Sequence, residues 1–245
     1  MRPPLPAPPR GALGPPAPVD ALFSRRVLSA AVLAATIGFF GAGCASRGVP
    51  ETLDPTVAAS AVEGTAPSRP LHAVFDWEML DGGSRFHGSG AARIEPPYRV
   101  RLDLFGPRGD GYLSAAAVGM EIRLPPAATD APLPPAAMMW AALGVVSPPH
   151  EARLVGTRVT TAATELHYDV EGSRLRYTLV DGRLESAVWR GGGRQMGVDL
   201  SDARVGGLPR TAIFRDASAG MELKLNLERV DDAEPFPPEI WNPDE

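Results

Sequence analysis

The chain has 245 residues, a net charge of −5, 44% apolar residues and 7% aromatics, which supports one sizeable core in one or two domains. Met1–Gly43 carries four Arg against one Asp, so the remainder is more acidic still, the opposite of what phosphate neutralisation on a nucleic acid requires. Cys44 is the single cysteine, which excludes an intramolecular disulfide and cysteine-rich zinc or iron–sulfur sites. His72, His87, His150 and His167 lack the H-x-x-x-H spacing of a zincin, so no metal or cofactor is expected.

Eight of the first 18 residues are proline, a leader that cannot belong to a packed fold. Arg25-Arg26, the uncharged run Val27–Phe40 and Gly41-Ala42-Gly43-Cys44 then form a secretory signal pattern: basic, apolar, small. At ~1.5 Å per residue the apolar run is too short for a ~30 Å hydrocarbon core. Val19, just before the basic pair, is a candidate alternative start. Gly41-Ala42-Gly43-Cys44 resembles the bacterial lipobox, with Gly41 where a Leu is usual. That resemblance implies a Cys44 bearing acyl chains of the palmitate class, a stable anchor when two or more chains insert. The following residues, rich in Ala, Pro, Ser and Thr, read as a flexible tether.

From Pro70 onward, alternation with period two predicts half-buried strands. Phe75, Trp77 and Met79 share one face of the first. Val100, Leu102 and Leu104 alternate with Arg99, Arg101 and Asp103. Leu166 and Tyr168, then Leu175 and Tyr177, repeat the pattern on either side of Glu171-Gly172. Met221, Leu223 and Leu225 alternate with Glu222, Lys224 and Asn226. Asp81-Gly82-Gly83, Glu171-Gly172 and Asp181-Gly182 supply hairpin turns. About eleven strands with short connections predict a mainly β fold, a large, curved antiparallel half-barrel. Ala136–Val146, uncharged and preceded by Pro134-Pro135, predicts a helix apolar all round. Met139, Trp140 and Leu143 belong to it, and its place is against the concave face, with one or two inserted helices in all.

The chain thus divides into leader and signal over 1–43, tether over 44–69, half-barrel over 70–233 and a proline-rich tail over 234–245. A bowed sheet leaves a concavity, and its large adaptable residues suit a long apolar guest such as an acyl chain. They suit a packed core equally well, and Met and aromatic content does not decide between the two. In the tail, Phe236, Ile240 and Trp241 read either as anchors for a partner or as residues folded back on the sheet.

An acylated signal, a tether, an antiparallel meander and an inserted helix together resemble the LolA/LolB-type lipoprotein carriers and acceptors. The local likeness spans Phe86–Val118: Gly88-Ser89-Gly90, Tyr98–Phe105 and Gly106-Pro107-Arg108-Gly109 are similar to that family's second to fourth strands. The resemblance implies a non-enzymatic lipoprotein binding acyl chains of lipids or lipoproteins, lipid-anchored in the outer membrane and facing the periplasm. Ala45 after the cysteine agrees with the family's outer-membrane sorting. Where the acceptor's turn carries an exposed apolar residue, this chain has Arg108. The alternative is an envelope scaffold with a filled core.

An enzyme needs a constellation of catalytic groups. Gly88-Ser89-Gly90 lacks the G-x-S-x-G spacing of a nucleophile elbow. Gly191-Gly192-Gly193 has no following helix with which to hold a phosphate. Asp103, Asp110 and Glu121 read as solvated strand and turn carboxylates.

Overall fold

The computed structural model describes residues 52–128 and 133–243. Helix α1 (Pro55–Thr65) precedes β1 (Leu71–Asp81), β2 (Ser84–Glu95), β3 (Arg99–Phe105), β4 (Gly111–Val118) and β5 (Glu121–Arg123). Helix α2 (Ala136–Ala142) follows. The chain then forms β6 (Arg153–Val159), β7 (Thr164–Val170), β8 (Ser173–Val180), β9 (Arg183–Gly191) and β10 (Arg194–Leu200). A small hairpin of β11 (Arg204–Val205) and β12 (Leu208–Pro209) leads into β13 (Thr211–Asp216) and β14 (Met221–Asp232).

Twelve strands form one open, curved antiparallel sheet in the order β5-β4-β3-β2-β1-β14-β13-β10-β9-β8-β7-β6. The fold is mainly β, as the alternation predicts. β1 pairs with β14 from Leu71↔Asp232 to Leu80↔Glu222, so the first and last strands lie side by side mid-sheet. β5 and β6, consecutive in sequence, are therefore the two opposite edges. The segment between them has to cross the sheet, and α2 is its middle.

α2 is shorter than the eleven residues predicted. Gly144 takes φ +81°; its N–H donates to Ala141 O, and Val145 N–H donates to Trp140 O. This is the paired bonding of a Schellman stop, which needs a left-handed residue. Val145 and Val146 are buried beyond it. Trp140 fixes the helix to the sheet: its indole N–H donates to Gly119 O at 2.8 Å, and its ring stands edge-on to Tyr98, 5.7 Å between centroids.

The expected tether is corrected over its described part. The Asp54 carboxylate accepts from Thr56 N and Val57 N and Pro55 opens the helix, a strong start signal. Ala58 is buried, with Val57, Ala61 and Val62 packed beside it. Thr52 bridges to Thr157 of β6, and Val146 N donates to the Thr65 hydroxyl. The segment is part of the fold because a face of alanine and valine matches a close packing distance.

The tail folds back. Pro238–Trp241 forms a 3-10 turn, and Trp241 is buried, its ring edge-on to Phe236. Arg101 and Arg123 donate to Ile240 O and Trp241 O. Beside this cover, the buried Asp103 carboxylate accepts from Arg93, Arg101 and Ser114. Burial by itself raises the Asp103 pKa, but the Ser114 hydroxyl and the two guanidiniums outweigh it and hold the carboxyl below its ordinary value.

Because the folded pKa is lowered, this carboxylate's contribution is complete above the ordinary range near ~4 and fades as pH falls through the lowered value. Asp103→Asn is expected to cost about 1–3 kcal/mol at about pH 7. The gap from wild type should shrink on acidification, as urea melts at about pH 7 and about pH 3 would show.

Candidate functional site

The first and second strands explain the Gly-x-Gly run. Gly90 lies opposite Phe75 and Gly88 opposite Trp77 in the β1–β2 register. A Cβ on Gly90 would come within 2.4 Å of the Phe75 ring, and one on Gly88 within 1.9 Å of Phe105 O. The two large rings of β1 thus lie over a strand stripped of side chains. Trp77 reaches across it, its indole N–H shared between Ser89 O at 2.9 Å and Phe105 O at 3.2 Å.

α2 divides the inner face in two. Towards β6–β10, Met138 and Ala141 pack with Leu166, Leu175, Tyr177 and Phe214, and α1 adds Ala58. That half is solid. Its Tyr177 hydroxyl donates to Ser147 O at 3.0 Å, and complete burial pushes the phenol far above its ordinary pKa. Towards β1–β5, Met139, Trp140 and Leu143 join Phe75, Trp77, Ile94 and Val100, and this half is incompletely filled.

The gap has two connected parts. A tight inner pocket of about 50 Å³ lies between Phe75, Leu102, Leu104, Leu113, Met138, Met139, Leu143, Phe214, Leu223 and Leu225. A wider outer part of about 350 Å³ is lined by Trp77, Met79, Leu104, Tyr112, Leu113, Leu133, Met221 and Leu223. Leu104, Leu113, Leu133 and Leu223 belong to both. The outer part falls in the ~300–1,000 Å³ range of ligand clefts. Among the described residues no charged side chain lines either part, and the Trp77 N–H is already spent. Such a wall selects by shape and apolarity.

The outer part opens beside two exposed aromatics. Tyr112 is 46% exposed and Phe86 39%; their ring centroids are 6.3 Å apart, and Tyr112 lies 5.0 Å from Trp77. Phe86 follows the β1–β2 turn and Tyr112 begins β4, next to the turn that carries Arg108. The apolar rim at this end therefore comes from residues flanking the Arg108 turn.

Of the predicted lining, Phe75, Trp77, Met79, Leu102, Leu104, Met139, Leu143, Met221, Leu223 and Leu225 meet at the cavity. Six others lie elsewhere. Val100 and Trp140 are buried behind the wall, and Leu166, Tyr168, Leu175 and Tyr177 belong to the solid half. Alternation turns Leu166, Tyr168, Leu175 and Tyr177 inward, and α1 and α2 pack against them there. Leu113, Met138, Phe214 and Leu133 are lining residues that sequence reasoning missed. The first and third of these share the alternation of β4 and β13, a usable signal. Cys44 lies outside the described residues.

Candidate chemical groups elsewhere are engaged. Glu121 pairs with Arg123, and Gly192 and Gly193 form the left-handed turn of the β9–β10 hairpin. Among the described residues there is no cluster of three or more metal-binding side chains.

Gly90→Ala is expected to push the Phe75 ring into the inner pocket and to lower stability by about 1–3 kcal/mol. A thermal melt and near-ultraviolet circular dichroism would register the two effects.

No family model matches the chain, nor does any curated protein. Solved structures do match. A LolA superfamily protein from Nitrosomonas europaea aligns with a TM-score of 0.53 at 11% identity, covering 76% of this chain and 97% of that one. A DUF1329 family protein from Desulfovibrio piger aligns at 0.55 and 12% identity, over 77% and 98% of the two chains. Likeness at such identities concerns architecture alone. Twelve antiparallel strands bowed around a crossing helix give this chain the LolA/LolB-like fold.

Proposed function

We propose that the protein is a non-enzymatic envelope lipoprotein that holds an acyl chain of a lipid or lipoprotein in the cavity between α2 and β1–β4. The observation that carries this reading is a cavity of about 350 Å³, lined among the described residues by no charged side chain, with an aromatic mouth. A void of that kind costs stability in an otherwise close-packed core, and an apolar guest offsets the cost. Methionines at four wall positions, Met79, Met138, Met139 and Met221, adapt to a chain of variable length and shape. On this reading Cys44 is lipidated after signal cleavage, and the domain faces the periplasm from the outer membrane. Its role there belongs with lipoprotein localisation, the partner being an acylated protein or lipid. The scaffold reading draws on the solid half between α2 and β6–β10.

Native mass spectrometry of the purified protein is expected to reveal co-purifying acyl species, and a ligand-free spectrum would favour the scaffold. Leu223, shared by both parts of the cavity, is the position to fill. Leu223→Trp is expected to weaken binding of pyrene-labelled palmitate by at least about tenfold while costing about 1–3 kcal/mol of stability. Unchanged binding in a folded variant would remove the cavity from the mechanism. Cys44→Ala is expected to move the protein from the membrane fraction to the soluble one, as fractionation and blotting would read.

A further inference from the structure

A second hollow, of about 300 Å³, lies on the far side of Leu143 from the acyl cavity, and its chemistry differs. Thr65–Arg69, the α2 stop at Leu143–Val145, the turn into β9 at Gly182–Leu184 and the β11–β12 hairpin enclose it. Its floor is apolar, with Leu71, Leu143, Leu184 and Leu208, while three arginines, Arg69, Arg183 and Arg204, stand around it. Arg69 is neutralised by Asp232. Among the described residues, Arg183 and Arg204 have no carboxylate in ion-pair contact.

Arg204 is built into place. It is half-buried, and its two terminal nitrogens donate to Ser201 O and Leu184 O, each at 3.2 Å. One carbonyl lies in the β10–β11 connection and the other at the start of β9, so the guanidinium plane is held from two elements while further N–H groups stay available. Burial and the facing Arg183 charge both disfavour its protonated form, and Asp202 counters them in part. Two like charges brought together at a half-buried apolar floor are costly unless an anion arrives. A pair of guanidinium forks matches the several oxygens of a phosphate better than a single carboxylate.

The hollow also adjoins the cavity. Leu143, Leu208 and Pro209 line it together with a narrow gap whose other walls include Phe75, Leu102 and Leu225 of the cavity. The narrow gap thus shares walls with both the hollow and the acyl site.

We propose that the hollow between Arg183 and Arg204 is a binding site for a phosphate group, carried on an acyl lipid or free in solution. In the lipid form, the headgroup sits between the arginines while its chain passes Leu143 into the cavity. That form rests on the acyl-binding reading above; the phosphate site itself does not.

The test uses the purified full chain and calorimetry with three probes: a lysophosphatidylglycerol, a monoacylglycerol of the same chain length, and inorganic phosphate. The wild type is expected to bind the lysophospholipid about tenfold tighter than the monoacylglycerol. The double variant Arg183→Gln/Arg204→Gln is expected to lose that preference and keep its monoacylglycerol affinity. Arg183→Gln alone, at an exposed side chain without a hydrogen bond, should show an intermediate loss without disturbing the fold. Competition by inorganic phosphate would establish free phosphate as a ligand of the same arginines. Phosphate binding with neither lipid bound would uphold the site and overturn the acyl reading. Equal affinity for the two lipids with no phosphate binding would overturn the site and leave the cavity standing. A preference that survives in the double variant would overturn it as well.

Discussion

β1 and β14 exchange backbone hydrogen bonds along most of their length, and the layout of the molecule follows from that non-local pairing. Joining the chain's first and last strands in mid-sheet sends the intervening strands outward in two wings, with β5 and β6 as the far edges. A sheet edge presents unpaired amides and carbonyls, and the chain cannot pass through the sheet. The link between the edges has to run across one face, and the apolar character of Ala136–Val146 selects the inner one.

Filling follows from where that link comes to rest. α2 presents Met138 and Ala141 to one wing and Met139, Trp140 and Leu143 to the other. The β6–β10 wing gains a second cover from α1, held by the Asp54 cap and the Thr52–Thr157 bridge. Among the described residues the β1–β4 wing has no such cover on its inner side, and its strands carry Ala92 and Ala115 where bulkier side chains would close the space. One wing is a core and the other a container, built from the same alternating pattern. The outer side of the container wing is sealed instead by the tail, which buries Trp241 beside the Arg93–Asp103–Arg101 network.

The position of charge in this molecule is as informative as the position of grease. Among the described residues the cavity wall carries none, the Asp103 network is internally neutralised by arginine, and Arg183 and Arg204 converge with their charge uncompensated by an ion pair. Apolar and charged surfaces are thus kept in separate places on one fold.

Strand identity and inner-face parity were legible in the sequence because side chains in a strand alternate with period two whatever the sheet later does. Phe75, Trp77, Leu104 and Leu223 face inward by that rule alone, and Pro134-Pro135 marks where the helix starts. Alternation says which way Leu166 and Tyr177 point, but not what stands in front of them. α1 was missed because alanine and valine give a weak apolar signal, although Asp54-Pro55 marks its start. The small β11–β12 hairpin, which brings Arg204 towards Arg183, is too short to carry any period at all. The sequence by itself therefore determined the strands, their apolar face and the helix that crosses it. Only the tertiary structure decided which wing is filled, where the cavity opens and which arginines meet, because volume and convergence depend on pairings between residues far apart in the chain.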